Sequence, residues 1–240
     1  MKIIIWNCHF GGFETKDKKI DAVLPLKPDV LVVPECEEVQ NSATRHWIGD
    51  ETGYGLAVYT FGDYRLSLLP SFDPGIRLVM PLKISNGKTE FTLLAVWTKE
   101  YPDAKPFVPY VMQTWNALQK YEKSLGDDRF IMAGDFNSTP TVEPKSAKDA
   151  EGNKVNHERI VEFLAGKGIH SAYHRHFGEQ HGEEKQPTHY WTGKKDKPFH
   201  LDYCFVSASL LDCLKAVEVG TFDEWHKYSD HMPLIVDFDL

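Results

Sequence analysis

The sequence predicts a single domain of mixed α/β class, and three observations carry that expectation. Short apolar runs with strand-like patterning recur along the whole chain. Two segments space their apolar residues at helical period, and no repeat, low-complexity tract or Gly/Ser linker divides the 240 residues. That length supports one sizeable core and is short for two domains of ordinary size.

The strand-like runs are Ile3–Trp6, Val30–Val33, Gly55–Tyr59, Arg65–Leu69, Ile76–Ile84, Phe91–Trp97, Phe130–Ala133, Leu201–Val206 and Leu234–Phe238. The four between Leu56 and Trp97 are closely spaced and separated by Gly-Asp, Asp-Pro-Gly and Asn-Gly-Lys turns, so an antiparallel meander is expected there. A helix from about Pro109 to Leu125 puts Val111, Trp115, Leu118 and Tyr121 on one face, which should pack on a sheet. A second helix begins at Asn156 as N-cap, carries Ile160, Phe163 and Leu164, and stops at Gly166. Ser138–Lys154 is polar and charged and reads as an exposed loop. His170–Lys197, rich in His, Gly, Glu and Lys, reads as mostly loop as well.

Charge and composition bound the function. A formal net charge of -8 argues against a sequence-independent clamp on long duplex DNA, whose affinity comes from neutralised phosphates. Nucleic acid stays open as a partner, because a metal ion among clustered carboxylates adds positive charge that the formal count omits. The first thirty positions lack a charged region followed by a cleavable apolar stretch, and no apolar run approaches the roughly 20 residues that cross a bilayer. A cytoplasmic protein without membrane insertion is expected, and no protein partner can be inferred. Cys8, Cys36, Cys204 and Cys213 lie in or beside apolar segments without C-x-x-C spacing, so reduced and mostly buried thiols are expected.

The chemistry is positional: a few polar residue types recur at the ends of otherwise apolar strands. Asn7 follows Ile3–Trp6, Glu35 follows Val30–Pro34, and Asp135 with Asn137 follows Phe130–Gly134. His200 and Asp202 lead into Tyr203–Val206, and Asp230-His231 leads into Met232–Val236. If the second pair of strands runs antiparallel to the first three, all five ends meet on one edge. Four carboxylates, two carboxamides and a histidine would then crowd together, which calls for a cation. An oxygen-dominated set favours Mg²⁺ or Mn²⁺ over Zn²⁺, with Glu35 the leading ligand and Asp230 and Asn7 beside it.

Such a set suits phosphodiester hydrolysis, which needs charge neutralisation, an oriented water and donors to the transition state. Asp135 is placed to orient or deprotonate the water and Asn137 to donate to a phosphate oxygen. His231, backed by Asp202, can polarise the phosphate or carry a proton. Each residue also has a bland reading as a turn cap, an Asx turn or a satisfied half-buried histidine. A zinc site among the histidines from His170 to His189, particularly His174-x-His176, ranks below solvated loop histidines, since no cysteine spacing accompanies it.

Trp6-Asn7, Pro34-Glu35, Gly134-Asp135-Phe136-Asn137, His200-Leu201-Asp202-Tyr203 and Ser229-Asp230-His231 together resemble, in order, the motifs of the endonuclease/exonuclease/phosphatase superfamily, which includes DNase I and exonuclease III. The resemblance spans the whole chain. It implies a four-layered α/β/β/α sandwich of two mixed sheets with outer helices and an active site at one end between the sheets. It also implies Glu35 as metal ligand, Asn7 and Asp230 near the metal, Asp135 and Asn137 around water and phosphate, and Asp202 paired with His231. Trp97 departs from the pattern, standing where the family has a His or Tyr facing the phosphate. Either Lys99, Tyr101 or Tyr110 then takes over that contact or the contact is dispensed with, and His9 becomes a further candidate for metal or phosphate.

The expected activity is a Mg²⁺- or Mn²⁺-dependent phosphodiesterase, a nuclease acting on nucleic acid. His9, Trp97, Lys99, Tyr101 and His200 are the expected substrate contacts. The alternatives are a phosphomonoesterase of a small phosphorylated molecule or lipid headgroup, and a binding module without turnover.

Overall fold

A computed structural model describes residues 1–9, 16–50, 53–101, 108–142 and 147–240. Strands follow in chain order as β1 (Lys2–Ile5), β2 (Val30–Glu37), β3 (Arg45–Gly49), β4 (Tyr54–Thr60), β5 (Arg65–Leu68), β6 (Val79–Ser85), β7 (Glu90–Trp97) and β8 (Phe130–Asp135). They continue as β9 (Ile169–Ser171), β10 (His189–Tyr190), β11 (Pro198–Phe199), β12 (Asp202–Ser207), β13 (Leu214–Val219) and β14 (Leu234–Phe238). The first four helices are α1 (Lys16–Val23), α2 (Tyr110–Lys120), α3 (His157–Gly166) and α4 (Ala172–Phe177).

Two mixed six-stranded sheets form, in the orders β13-β14-β1-β2-β4-β3 and β5-β6-β7-β8-β12-β9. Strand alternation explains why they stack. Ile3, Ile5, Val30, Val32, Leu234 and Val236 of the first sheet meet Leu93, Ala95, Ile131, Ala133, Cys204 and Val206 of the second in one inter-sheet core. The residues between them face outward: Leu94, Met132, Tyr203 and Phe205 pack under α2 and α3, while Ile4, Trp6, Leu31 and Val33 pack under Ile20 and Val23 of α1. This is an α/β sandwich of four layers.

The expected helices form. The first ends its α-helical part at Lys120 and finishes as a 3₁₀ turn over Glu122–Gly126. Asn156 caps the second, its Oδ1 accepting from Arg159 N at 3.1 Å. All four cysteines are free, three of them buried. Among the described residues no helix is long and apolar enough to cross a membrane.

Two expectations are corrected. The four-strand meander splits, because β4 pairs with β2 and β3 in the first sheet and only β5–β7 continue as a meander in the second. β4 is buried on both faces at Leu56, Ala57 and Val58, which suits a strand inside a sheet better than the start of a meander. The segment His170–Lys197 is less irregular than its composition implies, since it holds most of β9, all of α4 and the β10 arm of a two-stranded ribbon. Within Ser138–Lys154, positions 143–146 lie outside the described residues.

Candidate active site

The antiparallel condition is met. β1 runs parallel to β2 and antiparallel to β14, and β8 runs antiparallel to β12 with Asp135 opposite Asp202. The polar strand ends therefore gather at one end of the sandwich. Asp135 and Asp202 share the inward parity of Ala133 and Cys204, so both point between the sheets.

Local backbone conformation aims the groups. Gly134 adopts φ +150°, and a Cβ there would lie 1.8 Å from the Val96 carbonyl oxygen, so only glycine lets β8 approach β7 just before Asp135. Asn137, Glu35 and His9 all have left-handed φ, at 45°, 54° and 48°. Such non-glycine geometry persists where surrounding contacts over-determine it. Glu35 sits on a bulge of β2 between Val33 and Cys36, beside Pro34, which cannot donate to the ladder. Lys19 is buried behind the turn that carries His9 and donates to the carbonyls of Cys8 and His9 at 2.6 Å each.

Asp135 is wholly buried and accepts from Asn7 Nδ2, Asn137 Nδ2 and Asn137 N, each at 2.9 Å. Both protons of the Asn137 amide are thereby used, since it also donates to the Thr98 carbonyl at 2.8 Å. Asn137 thus positions Asp135 and has no proton left to give a phosphate, which corrects the role read from the sequence. Opposite it, His231 Nδ1 lies 2.8 Å from Asp202 Oδ2. Ser229 fastens this pair to the first sheet, donating to the Asn7 carbonyl at 2.8 Å and accepting from His231 N at 3.0 Å.

The electrostatics follow from this crowding. Burial and then the neighbouring Asp202 charge push Asp135 up to about 7. Burial disfavours the His231 imidazolium, but Asp202, with help from Asp135 and Asp230, raises it to about 10. Burial also opposes ionisation of Asp230, yet His189 and His9 hold its carboxyl well below the usual range. His9 Nδ1 is 3.2 Å and His189 Nε2 3.7 Å from the Asp230 carboxylate.

A cation fits this end. Asp202 Oδ1 and His189 Nδ1 are buried without a hydrogen bond, which is costly unless something else satisfies them. Ligand atoms of Asp135, Asp202 and His231 lie within 4.8 Å of one another, as do those of His189, Asp230 and His231. Glu35 belongs to neither group. It is half-buried at the same edge, where its charge helps raise His9.

The remaining sequence candidates separate. Trp97 is 4% exposed in the inter-sheet core, level with Asp135. Lys99 lies 5.0 Å over its ring and pairs with Asp50 at 2.8 Å. Tyr101 is buried beside Arg77 and lines a neighbouring cleft of about 220 Å³. Tyr110 is pushed up to about 12 by burial, then by Glu100 and Asp135. Its hydroxyl is hydrogen-bonded to Glu100. His200, expected as a substrate contact, is corrected: it is 2% exposed and turned to the outer face of β12, against Tyr173 and Tyr203.

Thr188 and His189 were missed. Thr188 Oγ1 accepts from Leu201 N and Asp202 N at 3.0 Å each, and its carbonyl accepts from Met232 N at 2.7 Å. His189 forms a bridge to His231 and flanks Asp230. Neither stands at the end of an apolar run, so strand-end patterning carried no signal for them.

No protein-family model matches the chain, and no curated protein sequence does. Solved structures do. The 3'-5' exonuclease NExo from Neisseria meningitidis is 18% identical with a TM-score of 0.68, covering 100% of both chains. An AP endonuclease from Archaeoglobus fulgidus is 17% identical with a TM-score of 0.69, again over 100% of both. A 3' phosphatase NExo from Neisseria bound to product DNA hairpin is 18% identical with a TM-score of 0.64, also over 100% of both. At these identities the likeness establishes a shared fold, the one the superfamily resemblance implied.

Proposed function

We propose that the chain is a metal-dependent phosphodiesterase that hydrolyses nucleic acid by in-line attack of water on phosphorus. The observation that carries this reading is the Asp202–His231 pair facing the Asn7–Asp135–Asn137 unit at one end of the sandwich. Asp135, raised to about 7, is tuned to accept a proton from water near neutral pH, and the two carboxamides fix its orientation. His231, held as imidazolium by Asp202, presents Nε2 as a charged donor to a phosphate oxygen.

Asp230 with Glu35 and Asn7 would hold Mg²⁺ or Mn²⁺, which neutralises phosphate charge when bound. The imidazoles of His9 and His189 flanking Asp230 make Mn²⁺ the better match of the two. A nucleic-acid strand would lie along the β10–β11 ribbon, which adjoins the site through Tyr190 N and the Asp230 carbonyl at 2.9 Å. The turn of this ribbon exposes Trp191 and carries Lys194, Lys195 and Lys197.

The second reading is a phosphomonoesterase. It is favoured by the net charge of -8 and by the likeness to a 3' phosphatase. The test is hydrolysis of bis-p-nitrophenyl phosphate, single- and double-stranded DNA, and 3'-phosphorylated oligonucleotides with Mg²⁺, Mn²⁺ or EDTA, with Asp135→Asn as control. Metal-dependent cleavage of internal diesters that Asp135→Asn abolishes is the expected result. Release of terminal phosphate alone selects the second reading, and turnover of none of these overturns both.

A further inference from the structure

The outer face of β12 carries a second polar cluster that the chemistry above does not use. His157 opens α3, His174 lies on α4, and His181 and Glu184 lie on segment 178–187, which leads from α4 to Thr188 and His189. The His181 ring faces the aromatic wall of β12, tilted 9° from Phe205 and 29° from Tyr203.

Two kinds of tie hold the segment. The first uses carboxylates. Glu184 accepts from Gly182 N at 3.0 Å and lies 3.0 Å from His174 Nε2, while Glu179 accepts from the Tyr173 hydroxyl at 2.8 Å and from Lys185 N at 3.0 Å. Burial opposes ionisation of Glu184, yet His174 and Gly182 hold it down to about 2, so this tie is unchanged through the neutral and mildly acidic range. The second kind is a hydrogen bond between two imidazoles. His157 Nε2 is 3.2 Å from His181 Nδ1, and His157 Nδ1 is 3.1 Å from Ser138 Oγ.

The bond between the imidazoles holds one proton, so one of its two nitrogens must offer a lone pair. The closed segment therefore excludes the state in which His157 and His181 are both imidazolium, since two N–H groups would then point at each other across 3.2 Å. The surroundings press in the same direction. His174 stacks on His181 with centroids 3.5 Å apart, and Glu184, which faces both, is already engaged by His174. The other titratable groups facing His181 are His200, whose Nδ1 is 3.0 Å from the Gln186 carbonyl, and Tyr203, whose hydroxyl burial pushes well above its ordinary value. Neither supplies a negative charge. Burial, then His174 and His157, lower His181 to about 2.

We propose that the His157–His181 pair makes segment 178–187 an acid-sensitive latch on the active site. In the opened segment both imidazoles reach water and bind protons near the ordinary histidine value of about 6.5. The closed form holds at least one proton fewer. Its advantage is fully present above that value and is lost steadily as pH falls below it. Opening frees Thr188, which holds the Leu201 and Asp202 amides, and His189, which flanks Asp230. The bearing on turnover rests on the phosphodiesterase reading above, whereas amide exchange reports the opening itself.

Native-state hydrogen exchange of the full chain, followed by mass spectrometry from neutral to mildly acidic pH and corrected for the intrinsic chemistry of each amide, tests the latch. Segment 178–187 should exchange through openings that leave β8 protected, and below about 6.5 its opening constant should rise about tenfold per pH unit, one proton's worth. His181→Gln removes the constraint, because an amide oxygen accepts from His157 in either of its charge states, and the slope should vanish. His157→Gln, which lets His181 donate to an amide oxygen, should do the same. A wild type without the slope overturns the proposal, and that measurement decides even where a variant fails to fold. Protection of 178–187 equal to that of β8 overturns it too, since the segment would then open only with the whole fold, as does a slope that both variants leave intact.

Discussion

The two faces of β12 both carry histidines and hold them in opposite charge states. On the inner face His231 is raised to about 10, and on the outer face His181 is lowered to about 2 and His200 to about 4. Burial lowers all three. What differs is the ratio of partners: His231 faces the carboxylates of Asp202, Asp135 and Asp230, whereas Glu184 is shared among several imidazoles. The inner face is thereby suited to donating a proton to an anion, while the outer-face imidazoles stay neutral.

The contrast is broken most severely at the inner face. Asp135→Asn and His231→Ala should each lower kcat by about 10²–10⁴-fold, the usual worth of a positioned acid or base, with circular dichroism unchanged. Near-normal rates in either variant would remove the mechanism. In the intact enzyme kcat/KM should climb as Asp135 loses its proton around 7 and fall as His231 loses its proton around 10. A profile flat across that range would separate these groups from the reaction.

Asp202→Asn sharpens the same comparison with a smaller effect, a loss of about 10–10²-fold, the usual cost of removing the partner that orients a functional imidazole. It removes the charge that raises His231, so the imidazole should titrate nearer the ordinary value of about 6.5, read by ¹⁵N–¹H spectra of the ring. In those spectra His200 should stay neutral until about 4.

Thr188→Val tests the link between the two faces. It leaves the buried amides of Leu201 and Asp202 without an acceptor and should cost about 1–3 kcal/mol in denaturant unfolding. A change of a few tenths would mean that the amides find another partner. The smallest effect is expected at the ribbon, where Lys194→Ala or Lys197→Ala should leave melting unchanged. Each should reduce the salt slope of DNA binding by about one. An unaltered slope would place the nucleic acid elsewhere.

Much of the fold was legible because burial imposes a period. The inner strands are apolar on both faces and announce themselves, as β1, β2, β7, β8 and β12 do. β3 and β13 are half-exposed sheet-edge strands, and β9 has three residues, so their patterns are too weak to register. The polar strand ends were legible for the same reason, since Asn7, Asp135, Asp202 and His231 interrupt runs that are otherwise apolar. Trp225 is buried against Trp6, while Trp191 is 52% exposed, a difference that nothing in their local sequence announces.

The sequence by itself determined the class of fold, the strands of the core and the residues that meet at the site, because alternation and interruption are local properties of the chain. Only the tertiary structure decided which sheet β4 joins, that Asn137 spends its protons on Asp135 and Thr98, and that His9 and His189 flank Asp230. It also decided which histidines carry charge. A pairing partner, a hydrogen-bond acceptor and a proton affinity are each set by groups a few ångströms away in space, brought together from distant parts of the chain.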